Sequence, residues 1–346
     1  MSFTVRIRQS DVPLAVEMGE TILSAALAAD FDYPHGCQSG NCGACKSRLH
    51  AGEVEMSPYS DYALTDAEKD SGLVLACRAV PWSDCEIAYL EQDEVISHPL
   101  RKLDCKVTAL DRMTHDITRV RLSIEAGGPF DFTAGQYARL HFDGQPPRDY
   151  SMASLPPAGK GEDVLEFHIR MVTDGEVSTF VQNDLKIGDS VRVEGPYGIS
   201  YLRQKHTGPI VALAGGSGLA PVKSIIESAL ADGAEQPIHM YFGVRAEPDV
   251  YLEDHFQALA DEHENFTFEI VLSEPESATG RRSGYLVDIL ADDFEDMDGS
   301  KAYLAGPPVM VETCVGKLKE MRVRNEDCHA DAFYTEAEKA KLEEAS

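Results

Sequence analysis

Basic residues are scarce in this chain of 346 residues: Lys and Arg number 31 against 59 Asp and Glu, a formal net charge of -28. That balance excludes nucleic acid and anionic membrane surfaces as partners, since both are polyanions. A basic protein partner fits it, and so does the well-solvated acidic surface of a salt-adapted protein. Long apolar runs are also missing. None approaches the ~18 to 20 residues that a membrane span requires, and MSFTVRIRQS passes straight into alternation instead of a secretory leader. A soluble, cytoplasmic protein is expected. There is no internal repeat and no low-complexity segment, and the lack of Cys-x-His pairs excludes a Rieske centre.

The length calls for two or three domains of about 100 to 150 residues each. SFTVRIR and PLAVE alternate like a hairpin, and Ile22, Ala25, Leu27 and Ala28 then recur at helical spacing. Short strands at 47 to 50, 73 to 76 and 86 to 89 complete a small β-rich domain over residues 1–92, and the charged, proline-bearing stretch 93–102 reads as a linker. Residues 103–205 are almost all strand, as in an antiparallel barrel, with EVSTFVQNDL as the one helix. From 206 to 335 strands and helices alternate, which implies a parallel sheet covered on both faces. AYLA reads as its last strand, and residues 336–346 read as a frayed tail.

Eight cysteines divide unevenly. Cys85, Cys105, Cys314 and Cys328 are scattered and read as ordinary thiols, whereas Cys37, Cys42 and Cys45 crowd one loop in the spacing C-x4-C-x2-C, with Cys77 a further 31 intervening residues on. Four thiolates can hold two irons bridged by two sulfides, and this is plant-type ferredoxin spacing. Gly36, Gly40 and Gly43 let the backbone close tightly and offer N–H groups to the sulfurs. Zinc is the alternative for four cysteines, but zinc ligands usually come as two close pairs. The loop and its β-rich surroundings resemble the ferredoxin domain, a β-grasp fold.

Two further motif groups follow. Phe132-Thr133-Ala134-Gly135-Gln136-Tyr137, Arg148-Asp149-Tyr150-Ser151, Gly175-x-x-Ser178 and Gly195-Pro196-Tyr197-Gly198 come in that order. Ile210 to Ala214 then runs into Gly215-Gly216-Ser217-Gly218-Leu219-Ala220-Pro221, where glycines let the backbone close on a pyrophosphate at a helix N-terminus and Pro221 suits the first helical position. Tyr303-Leu304-Ala305-Gly306-Pro307-Pro308 ends the last strand. Together these resemble the ferredoxin-NADP reductase superfamily. Joined to the ferredoxin domain, they resemble the reductase component of bacterial ring-hydroxylating dioxygenases and related multicomponent monooxygenases.

The resemblance implies a multidomain α+β protein: β-grasp ferredoxin, antiparallel β-barrel flavin domain and α/β parallel-sheet nicotinamide domain. It implies a [2Fe-2S] cluster on Cys37, Cys42, Cys45 and Cys77, and FAD rather than FMN. Arg148 would grip the flavin pyrophosphate, Tyr150 would pack on the isoalloxazine, and Ser151 would bond near N5. Ser178 and the amides near Gly175 would face phosphate. Gly215, Gly216, Gly218, Pro221, Gly306 and Pro307 would hold the nicotinamide dinucleotide. Ala305 stands where relatives commonly carry the cysteine beside the nicotinamide, and Phe333 resembles the aromatic residue that covers the flavin. Glu274 disfavours a 2'-phosphate while Arg281 and Arg282 could attract one, so NADH is expected and NADPH possible. The implied partner is a terminal oxygenase, because no two-histidine-one-carboxylate iron site is present to do oxygenation here. A reductase of a deoxysugar dehydratase shares this architecture, and a non-catalytic metal-binding or redox-sensing module is the reading from a different class.

Overall fold

Alternating apolar residues decide how this chain starts. In the computed structural model, β1 (Ser2–Ile7) and β2 (Leu14–Glu17) pair antiparallel and turn Val5, Ile7, Leu14 and Val16 inward. The structure describes residues 2–31, 33–35, 38, 40, 43–60, 63–90, 94, 96, 98–157, 164–275, 280–335 and 337–338. Cys37 and Cys42 lie outside the described residues, as does all of the expected tail except 337 and 338.

The chain divides into two compact units, Met1–Asp93 with Tyr334–Ser346, and Glu94–Phe333. In the first, β1 and β2 are followed by α1 (Ile22–Ala28), β3 (Lys46–Ala51), β4 (Val54–Met56), α2 (Asp66–Asp70), β5 (Leu73–Leu75), β6 (Ala79–Pro81) and β7 (Cys85–Tyr89). The sheet order is β2-β1-β7-β3-β5, with β1 and β7 parallel at its centre. This is the β-grasp arrangement. Thr21 caps α1 by accepting from the Ser24 amide, and the buried face of the helix is Ile22, Leu23, Ala25 and Ala26. Ala28, expected on that face, is exposed, because the helix ends there and its last residue projects past the sheet. Tyr334 returns to this unit, its hydroxyl donating to Ser60 Oγ across 3.4 Å.

The second unit begins with β8 (Arg101–Arg112), β9 (Ile117–Ala126), β10 (Tyr137–Phe142), β11 (Arg148–Ser151), β12 (Val164–Arg170), α3 (Glu176–Asn183) and β13 (Ser190–Tyr197). All pairings are antiparallel in the order β11-β10-β13-β8-β9-β12, and a bridge between Met152 and Phe167 joins the two ends into a barrel. Arg101 and Lys102, placed in the linker by sequence, already pair with β13.

The parallel sheet follows: β14 (Ile210–Gly215), α4 (Leu219–Ala231), β15 (Ile238–Val244), α5 (Glu253–Glu262), β16 (Phe266–Leu272), β17 (Arg282–Ser283), α6 (Leu286–Asp293), β18 (Lys301–Gly306), α7 (Pro308–Glu320) and β19 (Cys328–Ala332). β14 and β18 are buried throughout, as central strands of a two-faced sheet must be. The order β17-β16-β15-β14-β18-β19 reverses direction at β14, and ligands in such sheets bind outside the carboxyl ends at that switch point. AYLA is not the last strand. β19 pairs beyond it, residue for residue from Ala302–Cys328 to Gly306–Ala332. No helix among the described residues is long and apolar enough to cross a membrane.

Candidate functional site

Backbone geometry makes the cysteine loop tight. Gly40 and Gly43 have φ of +77° and +72°, and a Cβ on either would come within 2.9 Å of neighbouring atoms, Arg78 and Tyr59 in one case and the Ala63 carbonyl in the other. Cys45 and Cys77 are both buried, and the Cys77 amide donates to Cys45 Sγ at 3.4 Å. A buried sulfur receiving a backbone N–H is the donor set a thiolate ligand of an iron–sulfur cluster requires, so these two residues fit that group. Beside them, Lys46 Nζ lies 2.7 Å from Glu68 Oε1. Burial alone would raise the Glu68 pKa, but the bonds from Lys46 and from the Thr65 amide outweigh it and hold the carboxyl below its usual range.

At the barrel, β11 presents the Arg-x-Tyr-Ser residues. Asp149 is taken up by a paired hydrogen bond from Arg139, at 2.8 and 3.1 Å. Arg148, by contrast, makes no ion pair among the described residues and donates only to the Pro147 carbonyl at 2.8 Å, which leaves its fork available to an anion. Tyr150 packs beside the barrel core, and burial pushes its phenol pKa up, so it stays protonated. Ser151 is buried, and its Oγ donates to Asp331 Oδ2 at 3.1 Å. Ser178 departs from expectation. Its hydroxyl donates to the Gly175 carbonyl and accepts from the Val172 amide, both at 3.1 Å, so it closes its own turn rather than facing phosphate. Gly175 is required there, since a Cβ would lie 2.5 Å from that hydroxyl.

The nicotinamide motifs meet backbone on backbone. A Cβ on Gly218 would sit 2.0 Å from the Ala305 carbonyl, and one on Gly215 would sit 2.6 Å from Met310 Sδ. Gly306, at φ +147°, abuts Gly215 itself. The turns after β14 and β18 can therefore stack only as glycine. The α4 and α7 N-termini that follow have no side-chain cap, and an uncapped helix N-terminus fits a dinucleotide pyrophosphate, although Leu219 already donates to the Gly216 carbonyl and Pro308 has no N–H to give. Pro221 is the third residue of α4 rather than the first. A 3-10 turn over Gly216–Gly218 feeds directly into the helix and moves its start to Leu219, and Pro221 still lies in the first turn, where it costs no hydrogen bond. Lys223 Nζ and Ser224 Oγ reach the Ala153 and Ser154 carbonyls at 2.9 and 2.7 Å, docking α4 on the segment after β11.

These contacts bring together the three residues expected at the reacting centre. Ala305 is opposite Asp331 in the sheet register, Asp331 holds Ser151, and the Phe333 amide donates to the Gly306 carbonyl at 2.9 Å. Ala305 itself is 2% exposed within the apolar core of the parallel sheet. Sequence reasoning missed Asp331, two residues before Phe333 on a strand it did not recognise. It also missed Arg170, whose guanidinium stands over Gly216 while Nε holds Asp116 at 2.8 Å.

The chain matches three family models: a 2Fe-2S iron-sulfur cluster binding domain over residues 5–81, an oxidoreductase FAD-binding domain over 104–201 and an oxidoreductase NAD-binding domain over 212–316. It is 41% identical, over 93% of its length and 95% of the relative's, to the ferredoxin–NAD(P)+ reductase component of the naphthalene 1,2-dioxygenase/salicylate 5-hydroxylase systems of a Ralstonia species. It is 34% identical to the propane 2-monooxygenase reductase component of Mycolicibacterium goodii, over 96% and 97% of the two chains. Among solved structures, an Amycolatopsis cytochrome P450 reductase matches with a TM-score of 0.75 and 34% identity, covering 96% of this chain and 98% of that one.

Fold and site together define an iron–sulfur flavoprotein oxidoreductase, with a [2Fe-2S] cluster, FAD and a nicotinamide dinucleotide as cofactors. The chain belongs to the family of ferredoxin–NAD(P)+ reductase components of multicomponent oxygenase systems.

Proposed function

We propose that this reductase draws electrons from NADH and delivers them one at a time to a terminal oxygenase component that hydroxylates an aromatic compound. The Ser151–Asp331 hydrogen bond carries the reading, because it ties the flavin strand to the carboxyl edge of the parallel sheet where the nicotinamide turns lie. When bound, the nicotinamide supplies a hydride, FAD accepts two electrons and releases them singly, and the cluster relays one at a time.

The chain's own residues have distinct tasks in this reading. Cys37, Cys42, Cys45 and Cys77 hold the irons. Arg148 grips the FAD pyrophosphate, Tyr150 packs on the flavin ring, and Ser151, its proton committed to Asp331, orients the ring edge. Amides of the Gly215–Gly218 turn, with Gly306 and Pro307, take the nicotinamide pyrophosphate, and Arg170 adds a cation over the turn. Phe333 covers the flavin until nicotinamide arrives. The domain limits we assign are 1–92, 101–205 and 206–335.

NADH is favoured over NADPH by charge. Arg281 is held by Glu247 and Glu253, and Arg282 by Glu269, Asp292 and Asp293, so both cations are already neutralised. Glu274 follows β16 with its amide on the Arg245 carbonyl at 2.8 Å. A cytoplasmic location and docking of the acidic ferredoxin unit on a basic patch of the oxygenase belong to the same proposal. The test is anaerobic titration of the purified protein with NADH, followed by transfer to an aromatic-ring dioxygenase. Flavin and iron–sulfur absorption should bleach together and product should form. Retention of both bands under excess NADH would overturn the reading.

A further inference from the structure

The hydride-transfer chemistry makes no use of a buried polar chain that runs from the barrel to the nicotinamide turn. β12 carries Glu166 and His168, and the segment before α5 carries Tyr251. His168 Nε2 lies 3.2 Å from Glu166 Oε1, and its Nδ1 lies 3.2 Å from the Tyr251 hydroxyl. Tyr251 in turn donates to the Gly216 carbonyl at 3.3 Å. His168 and Tyr251 are each 4% exposed. Phe242 and His168 meet the Tyr251 ring edge-on, at 5.5 and 5.4 Å between centroids.

Proton accounting gives the chain a direction. Burial opposes ionisation of Glu166, but the His168 bond, Lys223 at 3.6 Å and Arg121 at 2.9 Å hold its carboxyl well below the usual range. A carboxylate only accepts, so a singly protonated His168 keeps its hydrogen on Nε2 and leaves Nδ1 as an acceptor. Burial raises the Tyr251 pKa well above its ordinary value, so that hydroxyl remains a donor. Its one proton stands between His168 Nδ1 and the Gly216 carbonyl. That carbonyl also accepts the Leu219 amide of the 3-10 turn, so both its lone pairs are used. Gly216 has φ +54°, and a glycine peptide reorients at little cost unless something holds it. In a trans peptide the carbonyl and the next N–H point opposite ways, so a carbonyl fixed toward Tyr251 aims the Ser217 N–H away from it.

We propose that Glu166, His168 and Tyr251 are positioning residues that clamp the Gly216 peptide and so hold the pyrophosphate-binding amides of the nicotinamide turn in register with the flavin barrel. The proposal rests on reading Gly215 to Gly218 as that turn. Removing the clamp alters the geometry in which nicotinamide meets flavin more than the contacts that supply affinity.

Tyr251→Phe removes the hydroxyl and keeps the ring packing. Two measurements are made on the FAD-loaded full chain. Amide hydrogen exchange over residues 215–219, without nicotinamide, should quicken by about tenfold, the order expected for one lost hydrogen bond. In anaerobic stopped flow the limiting rate of flavin reduction should fall by about tenfold while the apparent NADH affinity stays within about threefold, a split that general destabilisation does not produce. Unchanged exchange, or equal losses in rate and affinity, would overturn the clamp. Should NADH fail to reduce the flavin in the parent protein, the reading of the turn fails, and the exchange comparison still decides the clamp.

Discussion

Ser151 Oγ and Asp331 Oδ2, 180 positions apart in the chain, stand 3.1 Å from each other. A hydroxyl whose proton is committed to a carboxylate offers its lone pairs in a set direction, and this one joins β11 of the barrel to β19 of the parallel sheet. Ser151→Ala should lower the limiting rate of flavin reduction by about tenfold or more with FAD retained, whereas Asp331→Asn, which keeps the shape and one acceptor, should cost less. Stopped-flow reduction across NADH concentrations separates rate from affinity. A Ser151→Ala protein that reduces at the parent rate would remove Ser151 from the reacting centre.

Cys77 lies in a unit with its own core of Val5, Ile7, Leu23, Leu75 and Ile87. Cys77→Ser should therefore abolish cluster assembly and leave flavin bound. Reduction of ferricyanide by NADH should survive while cytochrome c reduction largely vanishes. Equal loss of both activities would show that the two units do not assemble independently.

Glu68 links acidity to the cluster loop. Its folded pKa lies below the unfolded one, so its contribution is present above the ordinary carboxylate range of about 4.3 and is lost as pH falls through the folded value. Glu68→Gln should cost about 1 kcal/mol at pH 7, a figure discounted for partial exposure. Thermal unfolding followed by iron–sulfur absorption should show the gap between parent and variant shrinking from pH 7 to pH 4. A gap that widens in acid would contradict the assignment.

Charge predicts how the acceptor docks. Residues 1–95 hold 6 Lys and Arg against 16 Asp and Glu, a balance of -10. Such a surface steers toward a basic patch, so transfer to the oxygenase should slow as salt shortens the screening length from about 10 Å at 0.1 M to about 3 Å at 1 M. A rate independent of salt would point to an apolar dock.

Nicotinamide choice should respond to Glu274. Replacing it with Ser removes a carboxylate that would repel a 2'-phosphate bound at the end of β16, and kcat/KM for NADPH should rise about fivefold with NADH little changed. No change for NADPH would place the 2'-phosphate elsewhere.

By itself the sequence determined the three-part architecture and the kinds of cofactor, because those rest on local rules. Cysteine spacing, glycine between a strand and a helix, and the change from alternation to helical period are all written in neighbouring residues, so α3, α4 and the cysteine loop were legible. Tertiary structure alone decided who faces whom. β19 is short and, among the described residues, pairs with β18 alone, so nothing in CHADA announced a strand, and without it Asp331 could not be matched to Ala305 or to Ser151. The Ser178 hydroxyl looked free for phosphate until the turn at Gly175 and Val172 claimed it. Likewise Arg281 and Arg282 looked available until their carboxylates were in place. A hydrogen bond between distant strands depends on where the sheets bring them, and no spacing along the chain encodes that.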